Sequence, residues 1–219
     1  MNEDIDIFND RYESIGSMSR KEAHKQIGRW HRSFVCLLIN PQKKTLLLQC
    51  KTKDLYDFNR PDYVDFTVGG HYQSGESIED GVRELKEEVG ITADFHDLIP
   101  LGIRQTAHTV TDSFIEYEFQ HLFLYPTQQE LENFLLDISE VRGLVEIDIQ
   151  DGIDLLLEKA NEITASSIVI VDGTQVHKDF VLTRDEFVPS YLAKDKIFVR
   201  LFIAAKRFVQ GDVIDEILV

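Results

Sequence analysis

Glu84, Glu87 and Glu88 are spaced i, i+3, i+4 within Arg83-Glu84-Leu85-Lys86-Glu87-Glu88-Val89-Gly90-Ile91. On an α-helix those positions share one face, so three carboxylates stand side by side. Like charges at this spacing cost a helix roughly 0.2–0.5 kcal/mol per pair. A hard divalent cation converts the repulsion into ligation, because Mg²⁺ takes oxygen ligands and often keeps waters or substrate phosphates in its shell. The competing reading is a solvated acidic face, common in a chain with 39 acidic and 23 basic residues. The glycines just upstream, Gly69, Gly70 and Gly75, favour the metal.

A helix of this kind must be anchored. Val82, Leu85 and Val89 recur at the complementary spacing and can bury the opposite face. Ser77 is placed to cap the N-terminus, with Asp80 in the position of a capping box, and Gly90 is a natural C′ residue. Together they predict about three turns of helix. Asp65-Phe66-Thr67-Val68 reads as a short strand leading into a glycine-rich loop. Upstream, Ile5 to Asp10 reads as a strand and turn, and Ser19 to His24 as a capped turn or short helix. Ser33–Ile39 and Thr45–Cys50 read as a β-hairpin about Asn40–Lys44, and Lys51–Pro61 as a charged surface loop. Downstream, strands are expected at Leu98–Gln105 and Phe114–Tyr125, joined by Ala107–Asp112. The second carries Glu116 and Glu118 on one side of the sheet. A charged residue on the inner side needs a partner, because burying it unpaired is costly. Then follow a helix at Gln128–Leu136, a strand at Gly143–Ile147 and a helix at Asp148–Ala160. Asp172-Gly173 signals a turn joining Ser167–Val171 to Gln175–His177, and Asp195–Val209 reads as a long amphipathic helix. Strands enclose the helices without regular βα alternation, which makes the class α+β.

The chain has 219 residues and a net charge of −16. That balance argues against nucleic acid as the main partner, since backbone binding relies on clustered Lys and Arg. It leaves a small phosphorylated substrate open, because a bound metal can reverse the local field. The two cysteines, Cys36 and Cys50, sit in apolar runs outside any CxxC cluster and read as buried, reduced thiols. There is no basic-then-apolar leader and no apolar run of membrane-spanning length, so the expectation is a cytoplasmic protein with no membrane partner.

The stretch Gly69–Ile91 resembles the Nudix box: Gly, five residues, Glu, seven residues, then Arg-Glu-apolar-x-Glu-Glu-x-Gly-apolar. Gly70 and Glu76 fill its first part and Arg83–Ile91 its second. Six residues, Ser77 to Val82, separate Glu76 from Arg83 instead of seven. Either the loop is tightened by one residue or Glu76 is not the equivalent of the family's first Glu. The resemblance implies a Nudix α/β/α sandwich with a mixed β-sheet. Its N-terminal strand and turn would occupy residues 1–30, its core 31–160 and a C-terminal extension 161–219, all in one domain. It implies Mg²⁺ or Mn²⁺ held by Glu84, Glu87 and Glu88, and Arg83 orienting the glutamates. Glu87, Glu88 or Glu118 would be the base, and the Gly69–Gly70 backbone would make room for phosphate oxygens. The substrate would be a nucleoside diphosphate derivative or other organic diphosphate, cleaved by water. A homodimer would be in keeping with its relatives.

A narrower resemblance is to the divalent-metal isopentenyl-diphosphate isomerases of this superfamily. Arg20 and His24 match their Arg-x-x-x-His element, His31 their second His, Gly69-Gly70-His71 their Cys-Gly-His and Glu116-Tyr117-Glu118 their Glu-x-Glu. By that match His24, His31, His71, Glu116 and Glu118 would form a second metal site, suited to Mn²⁺ or Zn²⁺. Gly69 stands where the isomerases carry a catalytic Cys, and glycine has no group to move a proton. The expected activity is therefore hydrolysis, with isomerisation or a catalytically silent nucleotide sensor as the alternatives. His108 and His121 carry no motif, and Tyr72, Tyr117 and Phe66 read as core aromatics before stacking platforms.

Overall fold

The computed structural model describes residues 3–51 and 63–212. In chain order the strands are β1 (Asp4–Phe8), β2 (Ser14–Ser19), β3 (His31–Asn40), β4 (Thr45–Lys51), β5 (Val64–Asp65), β6 (Val68–His71), β7 (Ile99–Thr111), β8 (Phe114–Pro126), β9 (Val141–Asp148), β10 (Ile163–Val171) and β11 (Thr174–Leu182). The α-helices are α1 (Arg20–Ala23), α2 (Arg83–Val89), α3 (Ile149–Leu156), α4 (Pro189–Ala193) and α5 (Ile197–Gln210). β1 and β2 form a separate antiparallel ribbon. The other strands make one sheet in the order β11-β10-β9-β4-β3-β8-β7, with β5 added to β4 and β6 to β3. The β3–β8 pair is parallel and the rest antiparallel, so the sheet is mixed.

Both faces of this sheet are covered, which is why β3 is a near-continuous apolar run and does not alternate. On one face Phe34, Cys36 and Leu38 pack with Leu85 and Val89 of α2. On the other, Val35, Leu37 and Ile39 pack with Ile153 of α3 and with Phe198, Leu201 and Phe202 of α5. α3 and α5 approach so closely that a Cβ on Gly152 would lie 2.2 Å from the Phe202 ring.

The expected hairpin of β3 and β4 exists but splays at once. Only Ile39↔Leu46 and Asn40↔Thr45 pair directly, and then β6 takes β3 while β5 takes β4. At the fork Leu38 N–H and Leu47 C=O have lost their strand partners. The buried Thr67 hydroxyl serves both, accepting from Leu38 N at 3.1 Å and donating to Leu47 O. This opening between β3 and β4 is where the site lies.

Other expectations change in detail. Gly69 and Gly70 lie in β6, paired with Val35 and Phe34, and not in a loop. The three-turn helix is a 3₁₀ turn, Glu79–Val82, followed by the seven-residue α2, which ends on Gly90 at φ 77°. Asp80 accepts from Ser77 N and Oγ, but no side chain caps α2 itself. The proposed connector Ala107–Asp112 is mostly strand, since β7 runs on to Thr111 against β8. Gln128–Leu136 makes a single 3₁₀ turn, Leu131–Asn133; Leu131 and Phe134 are buried while Leu135 is 74% exposed, so the helical spacing had no second turn to serve. β2 and α4 were not foreseen, because Ser14–Ser19 is largely exposed and Pro189–Ala193 is one turn long. Residues 52–61 of the expected charged loop and residues 213–219 of the expected extension lie outside the described residues.

Candidate active site

α2 presents its carboxylates around one guanidinium. Arg83 Nη1 donates to Glu84 Oε1 and to Glu87 Oε2, both at 2.8 Å. Its Nε and Nη2 reach Glu76 at 2.8 and 3.2 Å, and Nη2 also donates to the carbonyl of His71 at 2.9 Å. Glu76 therefore meets Arg83 despite the short spacer. The spacer is partly wound as 3₁₀, which rises about 2.0 Å per residue and so spans more length than the same number of α-helical residues. Glu88 is engaged from the sheet, by Gln49 Nε2 at 2.6 Å, Lys51 Nζ at 3.3 Å and the Gly69 amide at 3.3 Å. Glu84 and Glu88 are buried while the Glu87 side chain is 56% exposed. Burial pushes Glu84 up to about 8, against the pull of Arg83, and burial likewise raises Glu88 against Lys51 and Gln49. These are carboxylates that gain from a cation.

β6 forms the wall beside them. A Cβ on Gly70 would stand 2.0 Å from Glu84 Oε1, so only glycine lets α2 bring that carboxylate against the strand. Gly69 differs: a Cβ there would meet the Phe34 carbonyl at 3.4 Å, an ordinary contact. Gly69, Gly70, Glu84, Glu87, His71 and Glu118 all line one cleft of about 380 Å³.

At its other end the structure brings His24, His31, His71 and Glu118 together, with one ligand atom from each lying within 4.8 Å of all the others. The parallel pairing of β3 with β8 sets His31 opposite Glu118, and the pairing of β3 with β6 sets Ser33 opposite His71. α1 supplies His24 as its C-cap. His24 Nδ1 donates to Ile115 O and His31 Nδ1 to Arg29 O, each at 3.0 Å. Carbonyls only accept, so both Nδ1 atoms carry the proton and both Nε2 lone pairs turn inward. His31 Nε2 and His71 Nδ1 are buried with no hydrogen-bond partner. Inward lone pairs, carbonyl-fixed tautomers and a carboxylate fit a divalent cation. Burial, with neighbouring His31, lowers His24 to about 4, and burial also holds His71 well below its ordinary value. Burial works against ionised Glu118, but the neighbouring His31 and His71 hold it well below the usual carboxylate range.

Glu116, expected with this set, is not in the group of four; its Oε2 lies 3.0 Å from His108 Nε2 instead. The two are cross-strand partners on β7 and β8, so His108, to which no role was assigned, takes the carboxylate. Each of the three aromatic residues packs against another ring. Tyr72 packs edge-on against Phe34, Tyr117 against Trp30, and Phe66 stacks on Tyr191 at 5.4 Å. Sequence reasoning also missed Gln49, Lys51 and Glu140, which reaches the cleft from the loop before β9. No spacing pattern marks them, since each comes to the site through tertiary contact.

A protein-family model described as NUDIX domain matches residues 29–165. The chain is 38% identical over 198 residues to an uncharacterized Nudix hydrolase of Clostridium acetobutylicum, covering 90% of this chain and 95% of that protein. It is 32% identical over 142 residues to the isopentenyl-diphosphate Delta-isomerase of Halobacterium salinarum, 64% of each chain. Among solved structures, a Deinococcus radiodurans protein superposes with a TM-score of 0.55 at 21% identity, over 72% of this chain and 88% of that one, which supports the fold. No described helix is long and apolar enough to cross a membrane. With the box on α2, the mixed sheet covered on both faces and a family match spanning more than half of its length, the chain belongs to the Nudix family and is a Nudix-type hydrolase.

Proposed function

We propose that the protein cleaves a diphosphate linkage in a nucleoside diphosphate derivative or another organic diphosphate, using Mg²⁺ or Mn²⁺. The observation that carries this reading is the Arg83-held carboxylate set, which opens into the same cleft as Gly69 and Gly70. Glu84, Glu87 and Glu88 would hold the cation. A bound cation there would supply charge neutralisation for the diphosphate and a lowered pKa for an attacking water. The chain's own residues do the rest. Arg83 fixes the carboxylates relative to one another, so little reorganisation is needed when substrate arrives. Gly69 and Gly70 leave the strand surface bare where phosphate oxygens must approach. Lys51, Arg20 and Arg83 bring positive charge to a cleft that six glutamates and Asp65 also line. The base would be Glu87, the most exposed of the α2 carboxylates, Glu88, or Glu118 at the far end of the cleft. The test is to make Glu87→Gln and Glu88→Gln and follow Mg²⁺-dependent phosphate release from a panel of diphosphates. Release should fall by more than about a hundredfold; unchanged turnover would sink the assignment.

A second reading, isomerisation of a five-carbon prenyl diphosphate, is favoured by the His24–His31–His71–Glu118 cluster. Against it, Gly69 offers no thiol. Cys36 and Cys50 are buried, and burial pushes the Cys36 thiol far above its ordinary value. Hydrogen exchange into such a substrate without phosphate release would support isomerisation over hydrolysis.

A further inference from the structure

The His–Glu cluster is tied to the C-terminal segment by a chain of hydrogen bonds that no motif marks. Glu118 Oε2 accepts from Ser33 Oγ and from Gln120 Nε2, each at 2.9 Å. That leaves Oε1 facing His71 Nε2 at 3.4 Å and His31 Nε2 at 3.7 Å. The Gln120 amide is not free to choose its orientation. Arg104 Nη1 lies 2.7 Å from Gln120 Oε1, and a guanidinium only donates. The atom facing Arg104 must therefore be oxygen, which sends the amide nitrogen to Glu118. Arg104 is held in turn by Asp195, through Nε at 2.6 Å and Nη2 at 3.3 Å, and its guanidinium lies over the Tyr191 ring at 4.5 Å. Asp195 sits in the link between α4 and α5, and Arg104 is only 6% exposed on β7.

We infer that Arg104 is a positioning residue: anchored by Asp195, it locks the Gln120 amide so that Glu118 keeps Oε1 turned toward the histidines and ready for a cation. This rests on the reading of His24, His31, His71 and Glu118 as a metal site. Without Arg104, the Gln120 amide can rotate by half a turn and set its oxygen against Glu118 Oε2. The two acceptors repel, and the carboxylate loses both a donor and its fixed orientation. Outer-shell partners of metal ligands commonly affect affinity by about 10–100-fold.

The experiment is a Co²⁺ titration of the full chain, read by visible absorption, with thermal melts alongside. His71→Ala comes first. Loss of the absorption band identifies the cluster as the binding site, whereas an unchanged band overturns the metal reading and this inference with it. Arg104→Lys follows, because an ammonium can keep Asp195 but lacks the fork that also reaches Gln120. With the wild-type band intact, Arg104→Lys is expected to bind Co²⁺ about tenfold more weakly at a nearly unchanged melting temperature. Unchanged affinity overturns the positioning role and leaves the metal site standing. Gln120→Met then decides the route. In that background Arg104→Lys should add less than about twofold, because the two act through one bond. A full, independent tenfold loss there overturns the relay through Gln120.

Discussion

The α2 carboxylates and the histidines around Glu118 meet in one cleft but are held in opposite ways. Glu84, Glu87 and Glu88 lie within five residues and share one helix face, and the single Arg83 gathers Glu84 and Glu87. Glu87 is open to solvent. The cluster draws on α1, β3, β6 and β8, is almost wholly buried and has two of its three imidazoles, His24 and His31, fixed from behind by the carbonyls of Ile115 and Arg29. The first is a local device whose geometry follows from the helix period. The second is a device of the sheet, whose geometry exists only once distant strands have paired. One consequence is that the two respond to different perturbations.

The largest expected effect separates them directly. Arg83→Ala removes the shared clamp, and misplacing the carboxylates by an ångström should cost about a hundredfold in phosphate release. The same variant should leave His71-dependent Co²⁺ absorption intact. If both are lost together, the two regions are one unit and the comparison breaks.

Acid and alkali should also distinguish them in metal-free protein. Glu84 is raised to about 8 from an ordinary 4.5, so the folded state holds its proton more tightly than the unfolded chain. That contribution to stability is complete below the unfolded value and is lost as pH rises through about 8. His24 runs the other way, lowered from 6.5 to about 4, so stability is present above the unfolded value and is lost as pH falls toward the folded one. The two oppose each other between pH 4.5 and 6.5, so thermal melts in chelator should fall as pH rises from about 6.5 to about 8, and the acid-side fall due to His24 should emerge in Glu84→Gln. Glu84→Gln should flatten the alkaline side by several degrees, each kcal/mol being worth ~2–4 °C for a chain of this size. Added Mg²⁺ should flatten the same side while leaving the acid side in place. An alkaline limb that persists in Glu84→Gln would show that another group causes it.

The smallest effects sharpen the boundary between the regions at two adjacent glycines. Gly70→Ala drives a methyl into the Glu84 carboxylate and should raise the Mg²⁺ concentration needed for activity by about tenfold. Gly69→Ala meets only the Phe34 carbonyl at 3.4 Å and should change stability by less than about 0.5 kcal/mol. Equal effects on Mg²⁺ activation would mean that the contact between β6 and α2 does not set the carboxylate geometry.

The α2 site was legible because each of its signals is short-range. The glutamate spacing, the apolar Leu85 and Val89 on the opposite side and Gly90 at the C-terminus all act within one helix. The hairpin of β10 and β11 was legible from Asp172-Gly173 for the same reason, although its strands proved longer than expected. What misled was local spacing without tertiary support. Leu131, Phe134 and Leu135 have helical periodicity, yet two turn inward from a single 3₁₀ turn and the third is exposed. Glycines suggested a loop where β6 runs, and at Gly70 that strand needs bare backbone against Glu84.

The sequence alone determined that three carboxylates and an arginine occupy one helix, and that three histidines and two glutamates were candidates for a second site. The tertiary structure decided which of those candidates meet. Parallel pairing of β3 with β8 brings Glu118 to His31, while the antiparallel partner His108 takes Glu116. It also decided that Arg104, Gln120 and Asp195 stand behind Glu118. The physical reason lies in how each geometry is set. Helix periodicity is fixed by hydrogen bonds four residues apart, whereas strand order and register are settled by what the whole sheet can bury on its two faces.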